Sequence, residues 1–253
     1  MDVQYDDNHV LPSVDQALAS ARAVGVTKVI QVGCDVESSH WAADTAASFP
    51  DVWAAVALHP NAAAHDPDLT SSLTEIDHLA QLPQVRAVGE TGLDYFRTSP
   101  DKQGLQHEAF RAHIEIAKRT GKPLVIHDRD AHSDVVRVLT EVGPPEIVVF
   151  HCFSGDVDLA TVCAENGWYT SFSGTVTFKN ADNVRQAAAL MPSSLILVET
   201  DAPFLTPSPY RGRPNSSALI PLTVRAICAI RGESEEVICQ ALFSNSARVF
   251  GPF

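Results

Sequence analysis

Seven short apolar, β-branched segments punctuate the chain, and the stretch between each and the next carries helical spacing. They are VTKVIQV (26–32), VWAAVAL (52–58), VRAVG (85–89), PLVI (123–126), EIVVF (146–150), WYTSFS (168–173) and SLILVE (194–199). Such alternation implies a parallel sheet, and so many repeats favour an α/β fold of the closed TIM (β/α) barrel type over an open doubly wound sheet. No glycine-rich dinucleotide fingerprint follows the first segment, which argues against a Rossmann enzyme. The clearest helix is LQHEAFRAHIEIAKRTG, where Leu105, Ala109, Ala112, Ile116 and Ala117 recur at helical spacing and Gly121 supplies a stop. PSVDQALASARAVG, SSHWAADTAASF and SEEVICQALFSNSARVFG read as further helices. At 253 residues, 45% of them hydrophobic and 19% charged, the chain has the material for one barrel domain spanning residues 1–253. A closed barrel needs eight strands. Seven are legible, and the first regular element is a helix near Pro12, so the first strand is expected to be missing from the given chain.

No apolar run is long enough to span a membrane, and the opening MDVQYDDNHV has neither the basic start nor the apolar core of a signal peptide. A cytoplasmic location is the expectation, and nothing calls for an obligate protein partner. The five cysteines, Cys34, Cys152, Cys163, Cys228 and Cys239, form no CxxC pair and read as reduced thiols, with Cys152 a small buried residue. A formal charge of −13 argues against broad electrostatic adhesion to nucleic acid, so phosphate binding has to come from local chemistry.

In such barrels the reacting side chains project from the C-terminal strand ends. VWAAVAL runs into His59, VRAVG into Glu90, PLVI into His127, EIVVF into His151, and SLILVE into Asp201 two residues past its end. One such residue alone is often a helix cap or a backbone partner. Five strand ends on one face that carry only His, Glu and Asp point instead to a metal centre. Imidazole with carboxylate suits Zn²⁺, Mn²⁺, Fe²⁺ or Mg²⁺, and the lack of clustered cysteine argues against a structural zinc site. Glu90 is the candidate bridge if two ions are held.

The segments VALHP, VGETGLD, PLVIHDRD, FHCFSG, SGTVTF and VETDAPFLTP, in this order, resemble the signature blocks of the TatD family of metal-dependent deoxyribonucleases, from about residue 12 to the C-terminus. The resemblance implies a TIM barrel with one or two divalent ions that hydrolyses DNA phosphodiesters, usually as an exonuclease. It implies Glu90 as bridging ligand, His127 and His151 as the ligands completing one site with it, and Asp201 as carboxylate of the other site and orienter of the attacking water. His59, in the family's HP element, would lie near substrate rather than act as an obligatory ligand. Arg129, Arg211 and Arg213 are candidate phosphate contacts by charge and position.

Three departures accompany the resemblance. Asp128 stands where the family often has serine, and Ser216 where its NEP sequence offers glutamate. The family's first block, roughly D-x-H-x-H-hydrophobic-D, meets this chain only at its last two positions, Met1 and Asp2, which leads us to expect a true start upstream of Met1. The competing readings are a lactonase, esterase or deacylase of the amidohydrolase type on a nonphosphate substrate, and a catalytically impaired barrel.

Overall fold

A computed structural model describes residues 12–251. Each of the seven apolar segments forms a strand: β1 Val29–Val32, β2 Val52–Val56, β3 Val85–Asp94, β4 Leu124–Arg129, β5 Val148–Phe150, β6 Tyr169–Phe172 and β7 Ile196–Val198. All neighbouring pairs are parallel and the spatial order is the chain order. The result is a curled sheet, a half-barrel. Among the described residues β1 and β7 are its two edges. Met1 and Asp2, on which the expectation of an upstream start rests, lie outside the described residues.

The helices are α1 Val14–Arg22, α2 Val36–Ser48, α3 Pro60–Ala63, α4 Leu69–Ala80, α5 Gln103–Thr120, α6 His132–Val142, α7 Val157–Asn166, α8 Asp182–Leu190, α9 Ile220–Arg231 and α10 Glu235–Phe250. Local chemistry sets several ends. Ser13 with Gln16 and Asp35 with Ser38 close capping boxes on α1 and α2. Gly121 ends α5 in the left-handed conformation expected of it, at φ 66°. No helix among the described residues is long and apolar enough to cross a membrane.

The period-2 alternation of the strands divides the core. Ala54, Val56, Leu124, Ile126, Val148 and Phe150 pack with the helices in one cluster. Ala55, Ala87, Val125, Val149, Tyr169 and Leu197 line the opposite face, where Val249 near the end of α10 joins them.

Two strands run further than the apolar pattern suggests. β3 continues through ETGLD and β4 through HDR, paired as far as Asp94 and Arg129, so Glu90 and His127 lie inside strands rather than just beyond them. Gly92 permits this seam: a Cβ there would lie 2.1 Å from the carbonyl oxygen of His127, and its φ is 134°.

α5 carries two polar residues on its buried face, Gln106 and His113. His113 Nε2 accepts the Leu58 N–H at 3.1 Å. That fixes the proton on Nδ1, which donates to the Ala109 carbonyl at 2.7 Å and stands 3.0 Å from Thr91 Oγ1. The neutral ring therefore ties the end of β2 and the middle of β3 to α5. Burial pushes its pKa down from 6.5 to about 4. A histidine held neutral by the fold contributes stability that is complete above the unfolded pKa and drains as pH falls toward the folded one. Between pH 7 and pH 5 the wild-type protein should lose about 2 kcal/mol more unfolding free energy than His113→Gln, which has no ring to protonate. Denaturant titrations at the two pH values measure this, and equal losses in the two proteins would refute the assignment.

Candidate metal centre

Glu90 sits at the centre of the C-terminal face, and its two oxygens look toward different neighbours. Oε2 lies 3.5 Å from His127 Nδ1 and 3.0 Å from His151 Nε2. Oε1 accepts the Cys34 thiol at 3.6 Å. The strand-end origin of these groups explains the convergence: β3 delivers Glu90, β4 delivers His127, and His151 follows β5 directly.

Each imidazole is anchored by its far nitrogen. His127 Nε2 is 3.2 Å from Asp94 Oδ2, and His151 Nδ1 lies 2.9 Å and 3.0 Å from the two oxygens of Glu199. In the neutral form of each ring, donation of those N–H groups to carboxylates turns a lone pair of His127 Nδ1 and of His151 Nε2 toward Glu90, the arrangement by which carboxylates orient metal-binding histidines. Asp94 is itself fixed, accepting from Asn61 Nδ2 at 3.1 Å and from the Arg97 N–H at 2.8 Å. Asn61 Oδ1 accepts from Thr98 at 3.0 Å, and Thr98 Oγ1 accepts from Gln106 of α5 at 2.7 Å.

Asp201 follows β7 with φ 58°, its Oδ1 3.8 Å from His151 Nε2. The loop that carries it is pinned by Asn215, whose amide donates to the carbonyls of Thr200 and Phe204 at 2.7 Å and 2.8 Å. His59 caps α3, its Nδ1 accepting the Asn61 N–H at 3.1 Å. Its ring meets that of His127 edge-on at 4.4 Å, and one donor atom from each of His59, Glu90 and His127 lies within 4.8 Å of the others.

The charges follow from these contacts. Burial works to raise the Glu90 pKa, but the charge of His151 and the contacts with both histidines outweigh it and hold the carboxyl well below its usual range. Burial likewise works against the cationic forms of His127 and His151, yet their carboxylate neighbours win and both are raised. Burial pushes Asp201 up to about 6, His59 down to about 4, and the Cys34 thiol up to about 12.

The donor set fits a divalent cation. Glu90 Oε2 is buried and has no hydrogen bond of acceptable alignment, although two imidazole nitrogens stand beside it. A buried carboxylate oxygen left in that state, beside the inner nitrogens of two anchored imidazoles, is what a cation satisfies once those nitrogens are unprotonated.

The predicted arginines are set against aromatic rings. The Arg129 guanidinium lies 4.1 Å from the Phe96 ring centre, Arg211 lies 3.6 Å from that of Phe178, and Arg213 lies 6.0 Å from that of Tyr210. Asp128 turns its charge to His132 of α6, at 2.7 Å, and Ser216 takes the Asn215 side-chain oxygen on its own N–H at 2.9 Å. Asp94, Glu199, Asn61, Asn215 and Cys34 escaped the reading of strand ends. A carboxylate four residues after Glu90 and another two before Asp201 were the available signals for Asp94 and Glu199.

The family model described as TatD related DNase matches residues 2–251. The chain belongs to the TatD family. It is 44% identical over 243 residues to the uncharacterized metal-dependent hydrolase TatD of Mycobacterium tuberculosis, covering 94% of this chain and 91% of that one. It is 34% identical over 249 residues to the uncharacterized metal-dependent hydrolase YabD of Bacillus subtilis, covering 98% and 94%. The crystal structure of YJJV, a TatD homologue from Escherichia coli, superposes with a TM-score of 0.87 at 28% identity over 93% of this chain and 91% of that one. As a TatD-family protein the chain is a metal-dependent hydrolase, and its fold matches the TatD TIM barrels.

Asp94→Asn and Glu199→Gln keep side-chain volume but remove the charge that orients each imidazole. Each should lower affinity for Zn²⁺ or Mn²⁺ by about 10–100-fold with the fold intact. Isothermal titration calorimetry measures it, and wild-type affinity in both variants would show that these carboxylates do not serve a metal.

Proposed function

We propose that this TatD-family hydrolase cleaves DNA phosphodiester bonds, working inward from a strand end, with one or two divalent ions held by Glu90, His127, His151 and Asp201. The observation that carries the reading is the buried, unsatisfied Glu90 oxygen facing two imidazoles whose far nitrogens are already committed to Asp94 and Glu199. The name of the matching family, TatD related DNase, supports the choice of substrate. Zn²⁺, Mg²⁺, Mn²⁺ and Fe²⁺ all suit a site of carboxylate and imidazole. When bound, such an ion supplies the Lewis acidity that polarises a phosphoryl oxygen and acidifies water.

The chain's own residues divide the remaining work. Asp201 is the carboxylate that takes a proton from attacking water: its side chain is 30% exposed against 12% for Glu90, so solvent and substrate reach it. His59, beside His127 and fixed through Nδ1 to the start of α3, takes the role of a substrate contact in this reading. Arg129, Arg211 and Arg213 receive the phosphates, the first two from positions over the rings of Phe96 and Phe178. A chain of net charge −13 depends on such local cations to bring a polyanion to the site.

Glu90→Gln should abolish cleavage of a labelled single-stranded oligonucleotide while leaving the circular dichroism spectrum unchanged. Near-wild-type turnover at saturating metal would remove Glu90 from the centre. The same preparations assayed on a panel of carboxylic esters and lactones separate the substrate classes: esters cleaved and oligonucleotides untouched would make the chain an amidohydrolase of another specificity. His59→Ala should raise KM more than it lowers kcat and leave metal content unchanged. Loss of metal in that variant would assign His59 to the ion.

A further inference from the structure

The two most exposed large apolar side chains among the described residues are Phe204 and Phe96, at 68% and 61%. Both stand in turns closed onto an aspartate of the candidate centre. Phe96 lies inside the turn in which Asp94 Oδ1 accepts the Arg97 N–H at 2.8 Å, and the other oxygen of that carboxylate is 3.2 Å from His127 Nε2. Phe204 donates its own N–H to the Asp201 carbonyl at 2.8 Å, a four-residue turn that keeps the two Cα atoms within about 7 Å. Neither turn is loose. The Tyr95 N–H donates to the Arg129 carbonyl at 2.9 Å and its hydroxyl to Asp134 at 2.6 Å, while the Phe204 carbonyl accepts the Asn215 amide at 2.8 Å. One turn follows β3 and the other β7, so His151, which follows β5, lies between them in sheet order.

Exposed rings that serve protein interfaces sit in contiguous apolar patches from which charge is depleted. These two rings are separate, and each has cations beside it. The Arg129 guanidinium lies 4.1 Å from the Phe96 ring centre and Arg97 is next in the chain, while Arg211 and Arg213 share the loop of Phe204. Aromatic faces interleaved with guanidinium groups suit an unpaired nucleotide strand: the cations track its phosphates and the rings stack its bases, without choosing among them, because every base has a π face. A base inside a duplex is already stacked on its neighbours, so it has to be unpaired before a side chain takes it.

We propose that Phe96 and Phe204 are specificity-determining residues that stack unpaired bases, one on each side of the metal centre. The proposal rests on the reading of the site as a phosphodiesterase and adds the means by which a polynucleotide is told from other phosphate esters. Neither ring touches the reacting atoms, so their work appears in substrate affinity. With both turns fixed in advance, the rings are ordered before the strand arrives, and little is lost in ordering them on binding.

The test compares steady-state hydrolysis of two labelled single strands of equal length and charge, an oligothymidylate and its fully abasic counterpart. Base stacking makes the ratio of KM for the abasic strand to KM for oligothymidylate exceed about 10 in the wild-type protein. In Phe96→Ala/Phe204→Ala that ratio should fall toward 1, and Phe96→Trp/Phe204→Trp should retain it. Phe243→Ala, which removes an exposed ring from α10, should keep the wild-type ratio. A wild-type ratio near 1, a ratio unchanged in the double alanine variant, or an equal fall in Phe243→Ala overturns the proposal and leaves the phosphodiesterase reading standing. Cleavage of esters or lactones with neither strand hydrolysed overturns that reading, and this proposal with it.

Discussion

Removing a carboxylate from water costs several kcal/mol unless charges and hydrogen bonds replace the lost solvation. Glu90 occupies such a position, and the C-terminal face of the sheet is arranged around it. Imidazoles from the next strand and from the end of β5 approach one oxygen, and a thiol from the β1–α2 turn approaches the other. The imidazoles are held in turn by Asp94 and Glu199, so two further acids are drawn inward with their own compensations. Acids outnumber the bases that face them, and a divalent cation would supply the missing positive charge.

The precision of that arrangement is inherited from the fold. Parallel strands in sequential order bring every strand end to one face, so residues far apart in the chain become neighbours without any long connection. The route Asp94, Asn61, Thr98, Gln106 then links the His127 anchor to α3 and α5, and the same helix clasps β2 and β3 through His113. Orientation of the His127 ring is therefore coupled to packing of a helix.

This explains what could be read from the residues. The seven strands and Gly121 at the end of α5 were legible because apolar periodicity and turn chemistry are local signals. The ends of β3 and β4 were not, because ETGLD and HDR are polar and continue as strand only through pairing to each other, with Gly92 making room for the His127 carbonyl. On α5 the apolar spacing marked the helix, but Gln106 and His113 are buried by hydrogen bonds that a hydropathy pattern does not encode. His59, Glu90, His127, His151 and Asp201 stood out as reactive side chains after apolar runs. Asp94 and Glu199 did not, since their roles exist only through the imidazoles they hold, and Cys34 lies 56 residues from the carboxylate it touches.

The most direct test of the central claim is anomalous diffraction from crystals grown with Zn²⁺, recorded on both sides of the zinc absorption edge. A peak bounded by Glu90 Oε2, His127 Nδ1 and His151 Nε2, with the far nitrogens of both histidines still on Asp94 and Glu199, is the predicted result. Zinc found elsewhere on the chain with that position empty, or imidazoles rotated away from Glu90, would contradict it.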